Sequence, residues 1–347
     1  MAKRPYLLIA AGGTGATTQT FASTTLGTGA SDIVITSGGT NAALLTLGAI
    51  TRGRGATLFV GNPDNTLSAT NGVRTTSGTA STVLTDANGT AYAVLATNSS
   101  TTVTDWAMKN AGNVWLTAPI YTPSAAATAN YGQTLTAGST TNGSATITVA
   151  SVANLVVGAI VSGTGIPVGA SIQSTNTTAN TITISAPATA TASGLTFTVA
   201  QNVNFTQTNT AAWTTQTINS LRMNASTAAN LLIGAGQTIT ISTGGILFGS
   251  GAAAASLSTT VGQGTIVPGA GRELVIFANN NLLTINAVLG QSAAGATDVT
   301  FRGLVSVGLA KNDVLLKANS TYSGDTYISG VRVRTDVNTV TAPFGTG

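Results

Sequence analysis

The chain has 347 residues, enough for one large domain or two ordinary ones, and it contains no Cys and no His. Disulfides and thiolate metal sites are therefore excluded, as are the commonest zinc ligand and the commonest general base. Only 6% of the residues are charged, against about a quarter in an average globular protein. The net charge of +4 comes from basic residues that are scattered almost singly, which argues against nucleic-acid binding.

Residues 1–137 are predicted to form short strands separated by turns. Apolar runs of strand length, divided by Gly, Ser, Thr and Asn, are too short for helices. The runs are Tyr6–Ala11, Asp32–Thr36, Ala43–Leu47, Ala56–Val60 and Ala91–Leu95. The first run follows Lys3-Arg4 and faintly resembles a signal peptide, but glycines follow it at once and we interpret it as a strand. No run approaches the length of about 18 residues that a membrane helix needs.

Asp105 and Trp106 allow two interpretations. They could form a sugar-binding pair, because Trp stacks on sugars and Asp accepts hydrogen bonds from them. A buried aromatic residue beside a turn-forming Asp is the commoner arrangement, and we favour it.

The residue pattern of 138–200 differs from that of the sequence around it. Apolar and polar residues alternate in short runs, and Gly163-Thr-Gly-Ile-Pro167 forms a tight corner. The runs are Gly143–Ala150, Leu155–Val161, Ala170–Gln173, Thr181–Ser185 and Leu195–Val199. This stretch resembles a small all-β module of phage structural proteins and giant bacterial surface proteins. It is interpreted as an insertion that protrudes as a separate lobe.

From residue 201 the short strands resume at even spacing. They are predicted at Ile218–Met223, Leu231–Ile233, Thr238–Ile241, Gly245–Phe248, Glu273–Phe277, Leu282–Ile285, Asp298–Phe301 and Leu304–Val307. Such strands can be successive faces of a coil or the arms of a meander, and the spacing alone does not separate the two. In the last stretch, Thr326 and Ile328 are predicted to point inward. Arg332 and Arg334 alternate with Val331 and Val333 and are predicted to point outward.

The stretch 313–334 resembles the autotransporter-associated β-strand repeat. The residues that fall on its pattern are Leu316, Asn319, Tyr322, Ser323, Gly324, Thr326, Ile328 and Gly330. The departures are Lys317-Ala318, where Ser-Gly is usual, and Val331-Arg332, where the repeat ends in Thr-Leu. Weaker similarity covers most of the chain. The resemblance implies an all-β, right-handed parallel β-solenoid (β-helix) with a small inserted β domain, in a bacterial surface protein.

The resemblance gives a division into an N-terminal solenoid at 1–137, an inserted module at 138–200 and a C-terminal solenoid at 201–347. Outside the insertion, the chain would form about 12 turns and a rod about 60 Å long. The strands at the ends of such a rod are edges that recruit other chains unless they are covered.

No catalytic, cofactor-binding or metal site is predicted. Glycoside hydrolysis needs two carboxylates about 5 to 9.5 Å apart, and no two of the nine acidic residues are close in sequence. Asp313 and Asp325, one short coil apart, could meet, although an Asp at a corner more often forms an Asx turn. There is no phosphate-binding Gly-Lys-Ser/Thr loop, and Thr18 stands where a dinucleotide fingerprint beginning at Gly13 needs glycine. The chain is therefore expected not to be an enzyme.

The sequence favours an extracellular structural protein, a subunit or segment of a surface filament that supports adhesion. Its expected partners are copies of itself, joined head to tail, or neighbouring repeats of a longer chain, with surface glycans as candidate ligands. Two alternatives stay open, a glycan-binding or surface-binding adhesin passenger and a phage tail fibre or tailspike. Exposed aromatic residues on one face would favour the adhesin, and a trimer would favour the phage fibre.

Overall fold

The computed structural model describes residues 6–10, 15–36, 41–63, 66–96, 105–110, 116–125, 127, 130–249, 252–279, 281–303, 313–336 and 341–346. The described residues form strands, turns and bridges but no helix, so none of them lies in a helix able to cross a membrane. The strand predicted at Leu304–Val307 falls outside the described residues. Most strands pair in parallel with the strand of the next turn, which confirms the prediction of an all-β parallel β-solenoid.

The first part of the chain forms a three-sided coil, here called the N-terminal stack. Its strands and the hairpin that follows are β1 (Tyr6–Ala10), β2 (Thr17–Thr20), β3 (Ser23–Leu26), β4 (Gly29–Thr36), β5 (Ala43–Thr46), β6 (Ala49–Arg52), β7 (Ala56–Gly61), β8 (Gly72–Arg74), β9 (Ala93–Ala96), β10 (Asp105–Trp106), β11 (Met108–Lys109) and β12 (Leu116–Thr117). One side consists of β1, β4, β7 and β9, the second of β2, β5 and β8, and the third of β3 and β6. All these neighbours are parallel, and the first turn of the coil runs from Tyr6 to its register partner Asp32.

The N-terminal stack stops where the chain reverses. β10 pairs with β9 in the antiparallel direction, and β11 pairs with β12 in the same way. An antiparallel strand ends a parallel ladder because it sends the chain back along its neighbour.

The inserted module is a six-stranded sheet of a different kind. A short strand, β13 (Thr122–Pro123), precedes it, and the module itself consists of β14 (Gln133–Thr140), β15 (Thr146–Thr148), β16 (Ile160–Ser162), β17 (Ile172–Asn176), β18 (Thr181–Ile184) and β19 (Ala192–Ala200). The strand order is β16-β19-β14-β15-β18-β17, and every pair is antiparallel. Its alternating strands bury one face, with Ile147, Ile182 and Phe197 in a core of their own. The run predicted as a strand at 155–161 is mostly a turn, and only its last two residues join β16.

The remaining strands form a second three-sided coil, here called the C-terminal stack. They are β20 (Asn202–Phe205), β21 (Gln216–Ile218), β22 (Ser220–Met223), β23 (Ala229–Leu231), β24 (Thr238–Ile241), β25 (Gly245–Phe248), β26 (Ala255–Leu257), β27 (Thr265–Pro268), β28 (Leu274–Ala278), β29 (Leu282–Ile285), β30 (Val288–Leu289), β31 (Val299–Arg302), β32 (Asp313–Leu316), β33 (Thr326–Ser329) and β34 (Arg332–Thr335). The three sides are the sheets β13-β20-β22-β25-β28-β31-β33, β23-β26-β29-β32-β34 and β21-β24-β27-β30.

The two stacks lie side by side, so the expectation of a single long rod is wrong. The side of the N-terminal stack that contains β4, β7 and β9 packs on the seven-stranded side of the C-terminal stack, and we call this contact the seam. An apolar cluster fills it, with Phe59 and Trp106 from one stack and Leu247, Val275 and Phe277 from the other. The cause is visible in the strands, because β7, β9, β25 and β28 are buried on both faces. A solenoid side with two apolar faces needs a second layer.

Candidate functional site at the open end of the stacks

The last described turn of the C-terminal stack leaves its ladder open. β33 and β34 are the outermost strands of their sheets. The third side of this turn is residues 341–346, which lie on residues 320–322 through Ser320 N to Ala342 O at 2.9 Å and Thr346 N to Tyr322 O at 3.0 Å. An outermost parallel strand presents unpaired backbone groups along its free edge. No other described strand occupies these edges, and we call this end of the molecule the open end.

Apolar side chains lie on and beside the free edges of β33 and β34. Ile328 is 51% exposed although its register partner in β31, Phe301, is fully buried in the core. Val331, Val333 and Phe344 pack on the same core and are only partly buried. The apolar core of the C-terminal stack therefore continues to the surface at the open end.

The first turn of the N-terminal stack lies at this same end. β1, β2 and β3 are the outermost strands of their three sides. Phe21, at the corner between β2 and β3, is 37% exposed, and Leu7 in β1 is partly buried against the core. The N-terminal stack thus contributes a second set of free edges to the open end.

The opposite end is covered and is called the closed end. The inserted module lies against the first turns of the C-terminal stack, where β19 contacts β21 and Gln201 Nε2, just after β19, donates to the Asn154 carbonyl at 3.5 Å. The module also contacts the N-terminal stack, since Ser81 Oγ donates to Gln173 Oε1 at 3.3 Å. The two ends of the molecule therefore differ, because the module covers part of the closed end, where Ile120 beside β13 is 48% exposed, whereas no described segment covers the open end.

Five of the eight residues predicted from the repeat pattern pack or hydrogen-bond within the last turns of the C-terminal stack. Leu316 and Tyr322 are buried in the core. The Asn319 carboxamide oxygen accepts from Thr341 N and Ala342 N, both at 2.9 Å, and so fastens the next segment. Ser323 N donates to Gln291 Oε1 at 2.9 Å, and Tyr322 Oη lies 2.7 Å from Thr326 Oγ1.

Of the other three predicted residues, two are glycines that the turns require and one lies at the surface of the open end. A Cβ at Gly324 would lie 2.4 Å from the Thr297 carbonyl oxygen, so no larger residue fits there. Gly330 has a φ of 67°, in the left-handed region that favours glycine. Ile328 has the predicted inward phase, but it is half exposed because no described strand covers the open end.

Neither family models nor curated proteins nor solved structures give a match to this chain. The fold and the geometry therefore carry the functional argument.

The seam brings together acidic residues that are far apart in the sequence. Arg52 contacts both Asp86 at 2.9 Å and Glu273 at 2.5 Å, while Arg54 pairs with Asp298. The three carboxylates line a cleft together with Arg54 and Arg272, and its empty volume is about 300 Å³, part of it open to solvent. Sequence reasoning missed this cluster because its members come from both stacks, and only the seam makes them neighbours.

The carboxylates of this cleft are engaged in holding the stacks together. Glu273 also accepts from Thr300 Oγ1, and Asp298 accepts from Asp325 N at 2.9 Å. The ion pair and hydrogen bond with Asp298 raise the pKa of Arg54, which keeps that guanidinium charged. Burial lowers the pKa of Arg272, whose guanidinium donates to the Asn88 carbonyl at 3.1 Å. An arrangement of mutually paired charges is typical of a structural contact.

Two further pairs cross the seam. Arg302, which is fully buried, contacts Asp32 at 2.5 Å. Arg222 pairs with Asp105 and lies over the Tyr121 ring at 4.7 Å. Asp105 is therefore an ion-pair partner and not a turn residue, whereas its neighbour Trp106 is buried as predicted.

Asp313 and Asp325, which the sequence allowed to meet, lie on different sides of the C-terminal stack. Asp313 lies in the five-stranded side and pairs with Arg332 and Arg334, whereas Asp325 precedes β33 in the seven-stranded side and bonds to Asp298. Arg332 is exposed as predicted, but its hydrogen bonds to the buried Asp313 carboxylate raise its pKa. Among the described residues no group of three or more acidic side chains is arranged to hold a metal ion.

Proposed function

We propose that the protein is an extracellular structural protein, a β-solenoid subunit or segment of a bacterial surface appendage that associates with copies of itself and supports adhesion. The observation that carries the proposal is the open end, where free ladder edges lie beside the half-exposed Ile328. Edges of this kind add strands from other chains unless they are guarded. The resemblance of residues 313–334 to the autotransporter-associated repeat supports the assignment to the cell surface.

The remainder of the structure is compatible with a mechanical role. Parallel strands surround two continuous apolar cores, and the polar residues Thr238 and Thr240 form the outer face of β24. Such a ladder buries its backbone hydrogen bonds, which protects them from proteases. Of the three Trp residues, Trp106 and Trp213 are buried and Trp115 lies outside the described residues, so the described part offers no Trp face for glycans.

Self-association is tested by light scattering and negative-stain electron microscopy of the purified chain over a hundredfold range of concentration. We expect assemblies whose population rises with concentration. A chain that stays monomeric throughout would overturn the proposal. A trimer that does not dissociate on dilution would instead favour the phage fibre.

A further inference from the structure

The two stacks end at different levels at the open end. Across the seam β4 contacts β33, and Tyr327 in β33 lies against Gly55, which directly precedes β7. The order β9, β7, β4, β1 in one stack therefore runs beside the order β25, β28, β31, β33 in the other. Since β1 lies on the far side of β4, it projects beyond β33 by about one strand spacing, roughly 4.8 Å. The open end is a step, with the N-terminal stack as its higher half.

The strands that face each other across the seam run in the same direction. Arg54, which precedes β7, contacts Asp298, which precedes β31. Asp32, further along in β4, contacts Arg302 at the end of β31. The turns nevertheless advance in opposite senses, away from the open end in the N-terminal stack and toward it in the C-terminal stack. The molecule is thus a solenoid folded back on itself, with its first and last described turns side by side.

These relations determine how a second copy can fit. A two-fold rotation about an axis through the seam, parallel to the facing strands, places the N-terminal stack of one copy on the C-terminal stack of the other. The rotation keeps the strand direction, so that β1 would lie parallel to β33 of the second copy, as neighbours in the facing sheets already do. It also makes the turns of each combined column advance in one sense. The projecting N-terminal stack of each copy then occupies the space beyond the shorter C-terminal stack of the other copy.

The two surfaces that meet in this arrangement match in outline. The last turn presents β33, β34 and residues 341–346 in chain order, and the first turn presents β1, β2 and β3 in the same order. The first turn runs from Tyr6 to its register partner Asp32, and the last complete turn, which ends where β33 begins, runs from Val299 to its register partner Thr326. These two turns are nearly equal in length and therefore similar in cross-section, so each side of one can continue a side of the other.

The distribution of charge at the open end also favours the contact of a C-terminal stack with an N-terminal stack. β34 carries Arg332 and Arg334, with 64% and 44% of their side chains exposed. If two C-terminal stacks met end to end, four arginines would share one interface, and like charges placed opposite each other are destabilising. The strands β1, β2 and β3 contain no charged residue. The arginines of β34 meet no like charge on them.

We propose that the protein forms a closed, two-fold symmetric dimer through its open end, in which the last turn of each copy is continued by the first turn of the other. This inference rests on the self-association proposed above and specifies its geometry. A head-to-tail contact between straight rods gives an open filament. In a solenoid that is folded back on itself, the same contact occurs twice between two copies and closes.

Engineered disulfides test the geometry, because the chain has no cysteine of its own. Leu7 and Ile328 both lie in phase with their cores on the two outermost strands. We expect the double variant Leu7→Cys/Ile328→Cys to oxidise to a single dimer band on a non-reducing gel, and each single variant to stay mostly uncrosslinked. A ladder of higher oligomers would overturn the closed dimer. Oligomers in light scattering without crosslinking would overturn this interface but leave self-association standing, whereas a monomer at every concentration would refute both.

A matched pair of variants tests the surface without cysteines. Ile328→Lys places a third positive charge beside the arginines of β34 and should raise the dimer dissociation constant at least tenfold. Val261→Lys is the control, because Val261 is 50% exposed, nearly as much as Ile328, but lies in the corner between β26 and β27. It should dimerise like the parent chain. Equal dissociation constants for the two variants, with both melting like the parent chain, would overturn the proposal.

Discussion

The inserted module and the pair of stacks bury their strands differently, the module through local contacts and the stacks through long-range ones. In the module, all sheet neighbours are antiparallel and its core draws only on residues 135–199. In the stacks, parallel strands pair with strands a whole turn away, and the seam joins residues more than a hundred positions apart, such as Trp106 and Leu221. Local closure makes the module a separable unit. The shared seam makes the two stacks one cooperative unit.

The largest expected effect comes from removing the aromatic side chain at the centre of the seam. Trp106 is fully buried, packs edge-on against Phe277 at 5.5 Å and donates from Nε1 to the Leu221 carbonyl at 3.4 Å. We expect Trp106→Ala to lower the free energy of unfolding by about 4 kcal/mol, because it leaves a cavity between the stacks. Chemical denaturation followed by circular dichroism measures this. A loss below about 1 kcal/mol would mean that each stack is stable by itself.

A pair of equivalent substitutions sharpens the contrast between module and stacks. Ile182 in β18 and Ile276 in β28 are both fully buried, one in the module and one in the C-terminal stack. Each change to Ala should cost about 3 kcal/mol. Ile276→Ala should lower the protection of both stacks, including β4 and β7, whereas Ile182→Ala should affect the module alone. Hydrogen exchange read peptide by peptide distinguishes the two, and a loss of protection in the stacks on changing Ile182 would contradict the separation.

The ion pair between Asp32 and Arg302 tests whether charge or apolar packing holds the seam. Arg302 is fully buried, and Asp32 keeps 13% of its side chain exposed. Asp32→Ala should cost about 2 kcal/mol, less than a fully buried pair, because it leaves the guanidinium in the seam without this carboxylate. The double variant Asp32→Leu/Arg302→Met should recover most of the loss. Denaturation of the three proteins gives the values, and a double variant no better than Asp32→Ala would mean that the pair is itself stabilising.

The all-β class was predictable from the sequence, because short apolar runs with glycine corners are typical of strands, whereas the choice of a solenoid over a meander came from the resemblance to the repeat. The seam also leaves a signal in the sequence. Thr238–Ile241 alternates strictly and leaves one face to solvent, whereas Leu274–Ala278 is apolar throughout and is buried on both faces. Continuous runs of the second kind indicate a strand with a layer on each side. They recur in β7, β9 and β25 and mark the side of each stack that lies in the seam.

The partners of the charged residues could not have been predicted. Glu273 follows Arg52 by more than two hundred residues, and their contact depends on the level at which the two stacks meet. That level is set by the point where the chain reverses after β9, and the Asn, Ser, Thr and Gly residues at 97–104 and 111–115 indicate loops without indicating in which direction the chain continues. The open end was foreseen as an exposed ladder. Its stepped form follows only from the folding back of the solenoid.

The smallest predicted effect concerns Tyr92 in the core of the N-terminal stack. Its hydroxyl is buried without a hydrogen-bond partner in the structure, and burial raises the pKa of Tyr92 above the ordinary value of 10.0, although nearby Arg52 lowers it. Because the folded-state pKa is raised, its contribution to stability is complete below about pH 10 and is lost as the pH rises further. Tyr92→Phe should therefore match or slightly exceed the parent chain at pH 8, by up to about 1 kcal/mol.

At pH 11 the Tyr92→Phe variant should be more stable than the parent chain by about a further 1.4 kcal/mol, since only the parent chain releases this proton on unfolding. Tyr121→Phe provides the comparison at the seam, where burial likewise raises the pKa of Tyr121. Its hydroxyl accepts from Trp106 N at 3.2 Å, so this variant should lose about 1 kcal/mol at pH 8 and regain it at high pH. Urea denaturation at pH 8, 9, 10 and 11 measures both. Parallel curves for Tyr92→Phe and the parent chain would mean that Tyr92 ionises as readily in the folded core as in the unfolded chain.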